Sequence, residues 1–212
     1  MAESIFTPEG YIRPALLLSA YRGGLFPMSL DHSGGIGWFS PDPRGIIPLD
    51  EFHIPHGLRR TLKRNPFEIR VDTAFGEVIR GCARRPTTWI SPNIRQSYEK
   101  LHELGYAHSV ETWRDGKLAG GLYGVAIGGA FFGESMFSRE TDASKVALVA
   151  LVERLRARGF SLLDTQWTTR HLTGFGCREI PRDDYLRLLA EALDFPVEHA
   201  FTDPGLAGDA GL

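Results

Sequence analysis

Cysteine is scarce in this chain of 212 residues: there are two, Cys82 and Cys177, far apart in the sequence. That excludes a disulfide framework and a cysteine-built metal site, and a reducing compartment is the expected setting. Long apolar runs are missing as well. Ala15-Leu16-Leu17-Leu18 falls far short of the roughly 20 residues that cross a bilayer. Met1 to Phe6 lacks the basic and apolar blocks of a secretory signal. A soluble, cytoplasmic protein with no membrane partner is expected. Nor is there an excess of one charge: 24 Lys and Arg face 26 Asp and Glu, for a net charge of −2. Overall basicity therefore gives no argument for nucleic acid.

What is present is a globular composition, 42% hydrophobic, long enough for one large domain or one domain with a small subdomain. The charge is also unevenly spread. Between His53 and Arg85 lie Arg59, Arg60, Lys63, Arg64, Arg70, Arg80, Arg84 and Arg85, against Glu68, Asp72 and Glu77. Such a patch can track phosphates. Taken alone, it is more often a solvated helix face.

Periodicity and punctuation set out the elements. Arg13 to Arg22 reads as a helix with Pro14 in its first turn and Gly23-Gly24 at its end. Phe26 to Gly45 is rich in Pro and Gly and is expected to be irregular, with a subdomain boundary near Ser40. Phe67 to Val71 alternates like a strand, and Asp72 is expected to cap a helix running to Ala83. Ser91-Pro92 opens a second helix, striped by Ile94, Tyr98 and Leu101 and stopped by Gly105. His108 to Arg114, Lys117 to Ile127 and Ala130 to Ser138 read as three antiparallel strands joined at Asp115-Gly116 and Gly128-Gly129. Thr141 or Asp142 is expected to cap a helix over Ala143 to Arg158. A strand over Phe160 to Gln166 and a helix over Arg182 to Leu193 complete the order.

This order, strand, helix, helix, three strands, helix, strand, helix, predicts an α/β (α+β) fold of the N-acetyltransferase type: a mixed sheet flanked by helices. Residues 1–40 would form a small N-terminal subdomain, 41–202 the catalytic domain, and 203–212 a flexible tail. Fold alone does not give function.

The chemistry sits on two strands. Glu134 lies in the apolar run Phe131 to Phe137 and shares a strand face with Met136 by alternation. A carboxylate there is costly unless paired, and an exposed strand end or a structural ion pair is as good a reading as a functional one. Asp164 and Gln166 share a face at the end of the strand Leu162 to Gln166. If the intervening helix is a crossover, the two strands run side by side and parallel, and Glu134, Asp164 and Gln166 converge. Two acids and an amide would suit a cationic amine substrate. Coenzyme A is disfavoured as acyl donor. The segment Ser138-Arg139-Glu140-Thr141-Asp142-Ala143 carries two acids and no glycine where its pyrophosphate would need close backbone approach.

Several segments, in shared order and spacing, resemble the leucyl/phenylalanyl-tRNA–protein transferases. They are Trp38 to Gly45, Thr88-Trp89-Ile90, His108-Ser109-Val110-Glu111, Phe132 to Ser138, Leu163 to Gln166 and Glu179 to Arg182. The likeness covers roughly Tyr11 to Leu193. It implies transfer of Leu or Phe, less often Met, from aminoacyl-tRNA to proteins beginning with Arg or Lys, which marks them for N-degron proteolysis. The donor ester is already activated, so no cofactor, ATP or metal is implied.

The resemblance gives Asp164 and Gln166 a role in peptide-bond formation and Glu134 a role in acceptor recognition. It gives Trp89 the terminal adenosine to stack on. The apolar donor pocket falls on Leu122, Phe131, Met136, Leu148, Leu151, Leu155 and Leu163, which sequence alone would read as core. Arg59, Arg60, Lys63 and Arg64 become the tRNA-backbone patch. Three departures stand out. Met28 occupies the place of a second adenosine-clamping Trp, Leu151 stands where a relative has Phe, and Gly174 replaces a common Ser near His171. The loop before Trp89 is also short. Two other readings compete: a module of the same fold that only binds basic N-termini, and an acetyltransferase that uses coenzyme A.

Overall fold

A computed structural model describes residues 4–30, 35–195 and 201. The expected tail, 203–212, lies outside the described residues. The chain begins with α1 (Pro14–Arg22), where Pro14 sits in the first turn and Leu17, Leu18 and Tyr21 face inward. Next come β1 (Phe26–Ser29) and β2 (Ile36–Phe39), an antiparallel pair separate from the main sheet. Then follow β3 (Arg44–Ile47), α2 (His56–Arg64), β4 (Glu68–Val71), α3 (Phe75–Ala83) and α4 (Pro92–Glu103). The long hairpins are β5 (Ala107–Arg114), β6 (Lys117–Ile127) and β7 (Ala130–Ser138). The chain continues with α5 (Ala143–Ala157), β8 (Leu162–Gln166), α6 (Arg170–Thr173), β9 (Arg178–Ile180) and α7 (Arg182–Leu193).

Seven strands form one mixed sheet in the order β4-β5-β6-β7-β8-β3-β9. β7 and β8 are parallel, joined by the α5 crossover as expected; the other pairings are antiparallel. Each face buries its own core. Residues of α1, α3, α4 and α7, including Tyr21, Val78, Ile94, Tyr98 and Tyr185, pack on one face. Leu58 of α2 and the apolar side of α5, Val146 to Leu155, pack on the other. Asp115 and Gly116 both take positive φ, 50° and 70°, as their hairpin demands.

The structure corrects several expectations. Phe26 to Gly45 is not simply irregular: it holds β1, β2 and the start of β3. Pro27 is tolerated because its strand pairs on one side only, with Pro27 opposite Trp38. α2 lacked a legible stripe because Leu58 is its one buried residue. Asp72 does not cap α3. It takes φ 57° and accepts from the Ser109 amide (2.7 Å) and from His108 Nδ1 (2.7 Å). The α3 N-terminus is met instead by buried Glu111, whose Oε1 accepts from the Ala74 amide at 2.8 Å. Asp142 precedes α5 in a left-handed conformation and makes no side-chain cap; Ser138 Oγ accepts from the Ser144 amide (2.9 Å). Ser91 caps α4 as read, accepting from the Ile94 amide at 3.3 Å.

Candidate active site

The site is built where regular strands break. In the β6–β7 ladder Tyr123 pairs with Ser135 and Gly124 with Gly133, so Glu134 is an extra residue. In the β3–β8 ladder Gly45 pairs with Gln166 and Ile46 with Asp164, so Thr165 is extra. A bulge re-aims its neighbours, and both bulges open on the same cavity. The first corrects the expectation that Glu134 and Met136 share a face. The extra residue breaks the alternation: Glu134 meets Tyr21 and Tyr98, and Met136 packs against the α5-side core.

Gln166 is held in the left-handed region, φ 58°, which few non-glycine residues occupy without support. Its support is Asp164, whose Oδ1 accepts from the Gln166 amide at 2.8 Å. Gly45 gives the room. A Cβ there would lie 2.7 Å from the Trp167 carbonyl carbon and 2.9 Å from the Thr168 nitrogen. The Gln166 side chain then reaches Glu134, donating from Nε2 to Oε1 at 3.3 Å.

Asp164 itself is fully buried. Arg44, equally buried, donates from Nε to Oδ1 (2.9 Å) and from Nη2 to Oδ2 (2.6 Å), and Tyr185 donates to Oδ2 (2.9 Å). Arg44 is fixed further by the Gly24 carbonyl (2.9 Å) and by the rings of Phe26 and Tyr185, 5.0 and 4.3 Å away. Both Asp164 oxygens are therefore engaged inside the protein, and Asp164 is absent from the cavity wall. Its pairing with Arg44 is bidentate, the strongest form of such a contact.

Glu134 sits in a cage of hydroxyls. Tyr21 donates to Oε1 (2.7 Å), Tyr98 to Oε2 (2.9 Å), and the two hydroxyl oxygens are 2.5 Å apart. Three close contacts need three protons, and two tyrosines supply two. With both hydroxyls donating to the carboxylate, none is left for the contact between them; a proton on Glu134 would supply it, the carboxyl then donating to one tyrosine and that tyrosine to the other. Consistently, burial pushes its carboxyl up to about 7; the Tyr21 and Tyr98 hydroxyls pull it down, Asp164 raises it and Arg44 lowers it. Burial likewise raises the Tyr21 and Tyr98 hydroxyls well above their ordinary range.

The cavity holds about 760 Å³, the size of a small-molecule site. The structure brings to its wall Glu134, Gln166, Trp89, Met28 and five of the seven expected pocket residues: Leu122, Met136, Leu148, Leu151 and Leu163. Phe131 and Leu155 lie behind the wall in the core instead, both fully buried. Sequence reading missed Arg44, Tyr21, Tyr98 and Tyr185, which hold the two acids, and Trp167, 42% exposed on the cavity. Arg44 was visible within the segment Trp38 to Gly45, and Trp167 as the neighbour of Gln166. The tyrosines gave no local signal, because they come from three separate helices.

The leucyl/phenylalanyl-tRNA protein transferase family model matches residues 46–190, and the model of that family's N-terminal domain matches 10–42. The chain belongs to this family. It is similar to the leucyl/phenylalanyl-tRNA–protein transferase of Akkermansia muciniphila, 58% identical over 86% of this chain and 97% of the relative. The transferase of the same name from Salinibacter ruber is 56% identical over 86% and 81%. That of Herpetosiphon aurantiacus is 57% identical over 86% and 95%. Among solved structures the chain is similar to L-PGS from Bacillus licheniformis at TM-score 0.42 and 15% identity, over 76% of this chain and 55% of that one.

Two features of this family member bear on its donor. At the start of α5 the Ala143 amide donates to the Glu140 carbonyl (3.2 Å) and the Ser144 amide to Ser138 Oγ. Two of the amides that could meet a pyrophosphate there are thus engaged within the protein. On α2, Arg59, Arg60, Lys63 and Arg64 are exposed, and none pairs with an acid among the described residues. No helix among the described residues is long and apolar enough to cross a membrane, and no three His, Cys, Asp or Glu cluster there to hold a metal ion.

Proposed function

We propose that this transferase takes Leu or Phe, less often Met, from aminoacyl-tRNA and joins it to the N-terminal Arg or Lys of an acceptor protein. The observation that carries the reading is the continuity of one wall. An apolar cavity lined by Leu122, Met136, Leu148, Leu151 and Leu163 runs directly onto the Glu134–Gln166 contact. An apolar donor side chain and a cationic acceptor thus meet at one amide.

In this reading the donor side chain fills the apolar end and its ester carbonyl lies beside Gln166. The terminal adenosine stacks on Trp89, with Met28 against it; such stacking contributes about 1–3 kcal/mol. Trp167, half-exposed and edge-on to Phe26 at 5.1 Å, supplies the second ring that Met28 does not. The acceptor's cationic side chain takes Glu134, displacing the caged proton. Its neutral α-amine attacks the ester carbonyl, a C–N bond forms, and the ribose oxygen leaves carrying a proton.

Gln166 has no useful acidity and acts by hydrogen bonding and orientation. Asp164 is best read as a positioning residue: its oxygens are committed to Arg44, Tyr185 and the Gln166 amide, so it shapes the left-handed turn rather than touching the amine. α2 follows the tRNA backbone through Arg59, Arg60, Lys63 and Arg64. The product then enters N-degron proteolysis, and the reaction is cytoplasmic, in keeping with a tRNA donor and two buried free thiols.

An N-acetyltransferase-like fold belongs to the same reading, supported by the antiparallel β5-β6-β7 run and the parallel β7–β8 crossover. A small N-terminal subdomain ending near residue 40 is supported by the separate β1–β2 pair. The test is transfer of labelled Phe or Leu from tRNA to a peptide beginning with Arg, with acetyl-CoA offered as the competing donor. Labelled peptide from tRNA supports the reading; acetylated peptide overturns it.

A further inference from the structure

A second cleft, of about 540 Å³, opens beside the cavity where α3 ends and α4 begins. Its lining includes Arg80, Arg84, Arg95 and Arg139, against the single acid Glu77. Gly81, Arg84 and Arg139 line both spaces, so the two are continuous. Trp89 belongs to the cavity and its neighbours Ile90 and Pro92 to the cleft. The chain thus passes from an aromatic face to a basic one within a few residues.

The arginines are held unequally. Arg139 donates to the Leu118 carbonyl (2.9 Å) and lies over the Phe137 ring at 5.4 Å. Arg95 pairs with Glu99 at 3.2 Å. Arg80 and Arg84 are exposed and pair with no acid among the described residues. Two such guanidinium groups beside two anchored ones give a concave site with a local excess of positive charge, suited to bidentate phosphate contacts. A cationic acceptor is repelled here, so the cleft and the Glu134 pocket sort their substrates by charge.

We infer that this cleft binds the backbone phosphates of the donor's single-stranded 3′ end, immediately 5′ of the adenosine on Trp89. The inference rests on the transferase reading, and it assigns RNA to a surface distinct from α2. The phosphodiester preceding the terminal adenosine is one ribose away from the stacked base, and the continuity through Arg84 and Arg139 gives it a path. In this division α2 meets the duplex and the arginine cleft meets the unpaired nucleotides.

The experiment is RNA binding by fluorescence anisotropy, over a salt series, with two labelled RNA hairpins. One ends in an unpaired ACCA and the other is blunt. The protein is intact, and the variants are Arg80→Ala/Arg84→Ala and, for comparison, Arg59→Ala/Arg60→Ala. The cleft variant should bind the ACCA hairpin roughly tenfold more weakly, with a salt slope shallower by about 0.7 for each phosphate it no longer neutralises. Its affinity for the blunt hairpin should stay unchanged. The α2 variant should weaken on both. Equal weakening of the cleft variant on both hairpins, or no weakening on either, overturns the inference. Unchanged melting temperatures show that the variants remain folded. Because uncharged RNA is used, failure of amino-acid transfer would overturn the transferase reading without touching this measurement.

Discussion

Glu134 and Asp164 are two acids on neighbouring strands with opposite circumstances. Asp164 is neutralised by Arg44; Glu134 has hydroxyls and a pKa near 7. Glu134 is therefore ionised above about 7, and the KM for an Arg-starting peptide should fall as pH rises through that value. Deprotonation of the peptide's own amine also contributes, but equally in Glu134→Gln, so the difference between the two proteins isolates Glu134. In Glu134→Gln the KM should be raised about tenfold at pH 8 and lose that limb, because one charge-assisted hydrogen bond is gone. Stability should move the other way. Folding favours the protonated form, a contribution complete below about 4.5 and lost as pH rises through about 7. Glu134→Gln should therefore be stabilised relative to the parent at pH 8, by at most roughly 3–4 kcal/mol, and much less at pH 5. Melting at both values checks this. Equal shifts at the two values would mean that Glu134 titrates in its ordinary range. On the neighbouring strand, Gln166→Ala removes the orienting amide, and Asp164→Asn breaks the brace of its turn. Each should lower kcat on the order of 10²–10³ while tRNA binding changes little. An Asp164→Asn protein with normal kcat on saturating substrates would make Asp164 structural only. Asp164→Asn also leaves Arg44 buried without its counter-charge, so the variant's melting temperature must be measured alongside.

At the scale of elements, legibility followed length and stripe. α4 could be read from Ile94, Tyr98 and Leu101 and came out within a few residues of expectation, and the final helix spans Arg182–Leu193 as expected. β5, β6 and β7 were legible from alternation and the Asp115-Gly116 turn. α2 and β3 were not, because their partners, α5 and β8 with β9, lie far away in the chain; β1 and β2 pair locally, but their Pro and Gly masked them. The bulges were hidden too. Nothing local tells Glu134 from a regular strand residue, since the extra residue exists only relative to β6. The pocket residues looked like core, and two of them, Phe131 and Leu155, are core. On α2, neutralising Arg59, Arg60, Lys63 and Arg64 should flatten the salt dependence of tRNA binding, by up to about 0.9 for each duplex phosphate no longer neutralised, at unchanged kcat. An unchanged slope would move the tRNA off α2. Trp167→Ala should raise the donor KM about tenfold or more, as loss of one stacking face does. A donor KM that stays at the parent value would leave Trp167 as packing for Phe26 and Phe39 alone.

For the whole molecule, the sheet is what brings distant segments to one place. Tyr21 from α1, Arg44 from β3, Tyr98 from α4, Glu134 from β7, Asp164 and Gln166 from β8 and Tyr185 from α7 form one hydrogen-bonded group, most of it buried and reaching the cavity through Glu134 and Gln166. The α5 crossover makes β7 and β8 parallel neighbours, and that adjacency was legible in the sequence. What filled the space around it was not, because burial of polar groups is decided by the complete fold. In the proposed reading a cationic acceptor and an apolar donor meet at Gln166, and the engaged Ala143 and Ser144 amides at α5 weigh against coenzyme A. The direct test is a single competition. Purified protein is given Phe-tRNA, acetyl-CoA and a peptide beginning with Arg, and the peptide is weighed by mass spectrometry. The account predicts one phenylalanyl residue added at the N-terminus, abolished by substituting Gly for the N-terminal Arg. An acetylated peptide, or phenylalanyl transfer indifferent to that Arg, would contradict it.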